Sequence, residues 1–191
     1  MIYLDTNVII SMHVVDSTSA AAVVWASQQT AQTAISTWNI AEFVGNISLR
    51  VRKGEIPARG ARRVVDAFDS KFSPSLVVLG VNDAAHLRVA HWLRDSSCSM
   101  QRGDALHVAI ALEGEAAAIA TFDQRFARNI EKLRIPRLKV IALPTSGTPH
   151  KTQQKLADYN VTEKDIANAA KWARKRKRAE KESASRLTVR R

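Results

Sequence analysis

Met1-Ile2-Tyr3-Leu4-Asp5-Thr6-Asn7-Val8-Ile9-Ile10 opens the chain, an apolar run stopped by Asp5 and followed soon after by a second. A run this short, bounded by polar residues, reads as a buried strand over residues 1–4. A carboxylate set against such a run is costly unless something pairs with it. The anomaly recurs along the chain. Glu42 interrupts Ile40-Ala41-Glu42-Phe43-Val44, and Asp104 opens the helix-like run Ala105-Leu106-His107-Val108-Ala109-Ile110-Ala111-Leu112. Asp123 follows Ala117-Ala118-Ile119-Ala120-Thr121-Phe122. Four such carboxylates converging on one point would make a site for a hard divalent cation.

Outward from Asp5, short apolar runs alternate with helical patterns. Further strands are predicted over residues 33–36, 76–79, 117–120 and 138–141. Helices are predicted over 17–29, 38–52 and 57–72, from Asn82 or Asp83 to about 95, and from Gly103-Asp104 to near Gly114. Asp16 or Ser17 would cap the first of these, and Pro57 would take a first-turn position. Strands separated by helices of this length imply βαβ units, an α/β class and a parallel sheet with helices on both faces. Residues 1–143 form this domain, 144–155 read as a polar, turn-rich linker, and 156–191 as a basic, partly helical tail. Thr162 is its candidate N-cap, and the helix runs into Arg174-Lys175-Arg176-Lys177-Arg178.

Composition narrows the classes. At 191 residues and 46% apolar content the chain can bury one sizeable core. No uninterrupted apolar stretch approaches the roughly 20 residues that cross a bilayer, and Asp5 arrives too early for a secretory signal. The single cysteine, Cys98, excludes an intramolecular disulfide and fits a reducing cytoplasm. The net charge of +11 is uneven: residues 1–143 carry 16 Lys and Arg against 13 acids, and 144–191 carry 13 against 5. So basic a tail suggests RNA or DNA as partner; a solvated charged tail accounts for it equally well.

The donor set points to oxygen chemistry. Cys98 has no sulfur partner, and His13, His86, His91, His107 and His150 show no pair tied to a carboxylate. His107 lies about 300° round an ideal helix from Asp104, close to one turn, and reads as a satisfied core or surface histidine near the mouth. Mg²⁺ or Mn²⁺, one ion or two, suits such a set and serves water-mediated displacement at phosphorus. Thr6 and Asn7 are placed to hydrogen-bond the carboxylates, and Thr121 to do so for Asp123. Each acid also has a plainer reading. Asp5 and Asp104 would cap helices, Glu42 would pair with Arg50 or Arg52, and Asp123 with Arg125 or Arg128.

Ile2-Tyr3-Leu4-Asp5-Thr6-Asn7, Ile40-Ala41-Glu42-Phe43, Gly103-Asp104-Ala105-Leu106-His107-Val108-Ala109 and Ala120-Thr121-Phe122-Asp123-Gln124-Arg125-Phe126 together resemble the PIN-domain ribonucleases. Among these the chain is most similar to the VapC-like toxins of bacterial toxin–antitoxin pairs. The resemblance implies a three-layer α/β/α sandwich, Mg²⁺ or Mn²⁺ dependence, endonucleolytic cleavage of RNA and a homodimer. It carries Asp5, Glu42, Asp104 and Asp123 over as an acidic quartet, with Asp5, Asp104 and Asp123 as metal ligands. Some members have a further acid shortly after the fourth, where this chain has Gln124 and Arg125. Residues 156–178 resemble the C-terminal segment of partner antitoxins, which implies that Arg174 or a neighbour through Arg178 meets the acidic site. The alternative for that tail is RNA binding. The rival to the whole reading is a non-catalytic nucleic-acid-binding protein with structural carboxylates. A phosphatase-like site is a weaker rival, because position 7 is Asn where that chemistry wants a second Asp.

Overall fold

The computed structural model describes residues 1–72, 75–95 and 98–145. The expected linker and tail, with Arg174 to Arg178, lie outside the described residues except for Pro144 and Thr145. In chain order the elements are β1 (Ile2–Leu4), α1 (Thr6–His13), α2 (Ser19–Gln28), β2 (Thr33–Ser36), α3 (Thr37–Arg52) and α4 (Ala58–Ala67). A π-helical turn (Phe68–Phe72) follows. Then come β3 (Val77–Leu79), α5 (Asp83–Leu93), α6 (Arg102–Glu113), β4 (Ala118–Thr121), α7 (Gln124–Lys132) and β5 (Lys139–Ala142).

The five strands form one parallel sheet in the order β3-β2-β1-β4-β5. From β1 the chain builds outward through β2 and β3, then returns to place β4 on the other side of β1. The strand order therefore reverses between β1 and β4. In open parallel sheets the crevice at such a point, at the C-terminal strand ends, is where ligands bind. Asp5 follows β1 directly, and Thr121 ends β4.

Strand alternation sends side chains to two apolar layers. Tyr3 and Ile119 pack with Ala85, Leu106, Val108, Ile110, Phe126 and Ile130 of α5, α6 and α7. Ile2, Leu4, Ile35 and Ala120 pack with Ile9, Ile10, Phe43, Ile47 and Phe68 on the other face. Burying each such large side chain contributes roughly 1.5–3 kcal/mol, so the two layers hold the sheet between them.

α1 is the helix that the capping reading of Asp5 implies, and α7 has no counterpart among the predicted helices. α1 carries Val8-Ile9-Ile10, whose β-branching disfavours a helix, but all three are buried and packing overrides propensity. α7 has a legible signal in hindsight, an Asp N-cap followed by Phe126, Ala127 and Ile130 on one face. Smaller differences concern element ends. Pro57 is the N-cap residue of α4 rather than a first-turn residue. Thr18 is the N-cap residue of α2, and Asp16 instead accepts from the Thr18 amide at 2.8 Å. No described helix is long and apolar enough to cross a membrane.

Candidate active site

Asp5 occupies the turn from β1 into α1. Its extended backbone (φ −69°, ψ 150°) continues the strand, and its amide donates to the Ala120 carbonyl at 3.0 Å. The side chain does not cap α1. Its Oδ2 accepts instead from Thr121 Oγ1 and from Asn7 Nδ2, both at 2.6 Å. Asn7 is held in turn: its Nδ2 lies 3.0 Å from Thr121 Oγ1 and its Oδ1 accepts from the Phe122 amide at 3.1 Å. Thr121 was expected to serve the Asp123 carboxylate. It donates to Asp5 and accepts from the Asp123 amide at 2.9 Å, because β4 ends directly beside β1.

Glu42 lies in the second turn of α3, which begins at Thr37. Ser36 and Asn39 form a capping box that sets the helix start. Glu42 Oε2 accepts from Thr6 Oγ1 at 2.5 Å and lies 2.8 Å from His107 Nε2. The expected pairing with Arg50 or Arg52 is absent among the described residues; Arg50 donates to Asn46 and Arg52 to Ser48.

His107 is the residue that joins these parts. It sits one turn after Asp104 on α6 and is 3% exposed. Its Nε2 also lies 3.9 Å from Asp5 Oδ1, and its Nδ1 lies 2.9 Å from the Tyr3 hydroxyl. That hydroxyl donates to Asn39 Oδ1 at 2.6 Å and lies 2.8 Å from Ser36 Oγ. Asn39 donates to the Leu4 carbonyl and to Thr6 Oγ1, each at 3.0 Å. His107 is a satisfied core histidine, as its sequence suggested, and it also stands between two carboxylates. Tyr3, Ser36 and Asn39 were not singled out. The available signals were a polar residue one turn before Glu42 and a tyrosine in the first buried strand.

Asp104 is in the first turn of α6. Its Oδ2 is buried and has no hydrogen-bond partner among the described residues. Asp123 caps α7, its Oδ1 accepting from the Arg125 and Phe126 amides at 2.8 and 2.9 Å. It makes no ion pair with Arg125 or Arg128 among the described residues.

Burial pushes the Asp5 carboxyl above its ordinary range, against the charge of His107 and the Thr121 hydroxyl. Burial also raises Glu42, but the hydrogen bond and charge of His107 with the Thr6 hydroxyl outweigh it, and Glu42 ends below its ordinary value. Asp104 is raised, first by burial and then by the charge of Asp123, with Arg125 and His107 opposing. Burial lowers His107, yet the Glu42 bond and the charges of Asp5, Glu42 and Asp104 leave it raised. The glutamate and histidine shifts agree on one state, an imidazolium facing a carboxylate. Burial holds the Tyr3 phenol protonated.

The four acids lie around His107 and the start of α6 without forming a closed ligand set. Among the described residues no three His, Cys, Asp or Glu side chains are grouped to hold a metal. Asp5 and Glu42 share His107, while Asp104 and Asp123 feel each other's charge. The residues nevertheless fit a hard cation. The donors are oxygens, and Asp104 Oδ2 is a buried acceptor with nothing to accept from.

A family model described as PIN domain matches residues 2–132. No curated protein sequence matches the chain. Among solved structures, FitAcB from Neisseria gonorrhoeae aligns with a TM-score of 0.59 and 16% identity, over 74% of this chain and 96% of that one. VapC20 of Mycobacterium tuberculosis, described as a sarcin-ricin loop cleaving toxin, aligns at 0.53 and 18% over 67% and 94%. VapBC2 from Rickettsia felis, bound to a DNA fragment from its promoter, aligns at 0.51 and 20% over 75% and 100%. Likeness at these identities speaks to the fold.

Proposed function

The chain belongs to the PIN-domain family, and from that premise we propose that it is a metal-dependent endoribonuclease, the toxin of a toxin–antitoxin pair. The observation that carries the reading is the buried, unpartnered Asp104 Oδ2 beside the Asp5–His107–Glu42 cluster, at the point where the strand order reverses. Asp5 and Asp104 are the leading ligands, with Asp123 as third and Glu42 completing the acidic set. A bound Mg²⁺ or Mn²⁺ supplies a polarised water and stabilises charge developing at phosphorus.

The chain's own residues do the positioning. Thr121 and Asn7 hold Oδ2 of Asp5, leaving Oδ1 toward His107. Thr6 and His107 fix Oε2 of Glu42. No serine or cysteine nucleophile is needed: water attacks the phosphodiester, leaving a 5′-phosphate and a 3′-hydroxyl. Solved neighbours such as FitAB and VapBC2, each bound to a DNA fragment and each a toxin–antitoxin complex, support an antitoxin as partner. Residues 156–178 of this chain are a second candidate for that role, and a homodimer in the cytoplasm is the proposed setting.

Asp5→Asn tests the reading. RNA cleavage with Mn²⁺ should fall by about 10²–10³-fold, the scale of losing one preorganised electrostatic group, while the circular dichroism spectrum is retained. Unchanged cleavage would sink the assignment. Deleting residues 145–191 tests the tail. Higher metal-dependent activity indicates a tail that restrains the site, and weaker RNA binding indicates one that holds substrate.

A further inference from the structure

The exposed face of α7 bears three cations that no part of the catalytic reading uses. Phe126, Ala127, Asn129 and Ile130 are buried, while Arg125, Arg128 and Lys132 are exposed. At 100° and 1.5 Å per residue the three fall within an arc of about 60° and span about 10 Å of helix. None has a carboxylate within ion-pair distance among the described residues. That includes Glu131, the one acid on the helix, which lies one turn from Arg128. The row begins at the site: Asp123 is the residue that caps α7, and the charge of Arg125 is felt at Asp104.

The surrounding charge makes this row unusual. Residues 125–139 hold six cations against one acid, and residues 50–63 hold six against one. The remainder of residues 1–143 holds four cations against eleven acids, a balance unfavourable to a polyanion. The second basic segment is poorly placed to serve the site. Arg52 lies ten residues along α3 from Glu42, about 15 Å at helical rise, whereas Arg125 is two residues from Asp123.

We propose that Arg125, Arg128 and Lys132 form a track on α7 that holds the phosphate backbone of single-stranded RNA and leads it to the acidic cluster. The track rests on the endoribonuclease reading for its substrate. Three cations on one face, continuous with a site that would otherwise repel phosphate, meet a flexible polyanion better than a folded acidic protein.

The test uses the full chain, with EDTA present to suppress cleavage. Binding of oligouridylate is measured against salt for the unaltered chain, for Arg125→Gln/Arg128→Gln/Lys132→Gln and for the charge-matched Arg59→Gln/Arg62→Gln/Arg63→Gln. Each lost phosphate contact on a single strand lowers the slope of log K against log salt by about 0.7, so the α7 triple variant should lose about 2. The α4 variant should keep its slope. An unchanged α7 slope, or equal losses from both variants, overturns the track. So does equal weakening of polyglutamate binding by the α7 variant, which would mark a general anion surface. Arg128→Gln alone, expected to lose about 0.7, covers any folding defect of the triple. Cleavage with Mn²⁺ separates the two readings: an α7 loss appears as raised KM, whereas absence of cleavage by the unaltered chain overturns the nuclease reading and leaves the binding slopes to decide the track.

Discussion

His107 acts as the site's internal counter-ion. It faces Glu42 at 2.8 Å and Asp5 at 3.9 Å, and behind it the Tyr3 hydroxyl, whose proton goes to Asn39, accepts from Nδ1 at 2.9 Å. Its raised pKa fixes the sign of a pH dependence. The folded form binds the proton more tightly than the unfolded chain, whose value is 6.5. The stabilisation is therefore full below that value and is lost as pH rises through the raised folded value. His107→Gln should lower metal-free stability by about 1–3 kcal/mol at mildly acidic pH, the scale of a lost charged hydrogen bond. The deficit should shrink as pH rises, and urea melts across the range measure it. A deficit that is constant with pH would mean a neutral, purely structural histidine. At this scale the four acids were legible because each stands against an apolar run. The network of Tyr3, Ser36, Asn39 and His107 was not, because its members lie 33 to 104 positions from Tyr3.

Elements place the chemistry, and one residue can serve both. Asp123 caps α7 through Oδ1 and is also the proposed third ligand. Asn caps a helix about as well as Asp. Asp123→Asn should thus keep the melting temperature while cleavage falls. Asp123→Ala should lose cleavage and also about 1 kcal/mol of stability. Equal stability in the two variants would show that the cap contributes nothing. α7 is absent from the predicted helices because the charge of Asp123 masks its second capacity, as an N-cap. α1 was legible only through Asp5 as its cap, a role the side chain does not take; Val8-Ile9-Ile10 favours a strand locally, and burial on the sheet makes it a helix.

For the whole molecule, burial makes the charged carboxylates of Asp5 and Asp104 costly to hold. Asp5 and Asp104 are raised above 3.8, so the metal-free fold binds more protons than the unfolded chain and loses stability as pH climbs through their folded values. Glu42 has the opposite sign, its contribution being lost as pH falls through its lowered value. Metal-free protein should also lose stability as pH rises above 6.5, where the raised His107 gives up its proton; the lowered His13 acts with the opposite sign below that value. Mn²⁺ should raise the melting temperature more near pH 8, where protons compete less, with about 2.7 kcal/mol gained at a hundredfold excess over Kd. A Mn²⁺ effect that is independent of pH would count against carboxylate ligation. The sequence by itself determined the α/β class, the parallel sheet and which acids stand against the core, because apolar periodicity and local chemistry are read over a few residues. Only the tertiary structure decided that β4 returns beside β1, that Thr121 serves Asp5, and that His107 bridges two carboxylates. Those outcomes depend on which distant segments pack together, and burial energy summed over both faces of the sheet chooses among them.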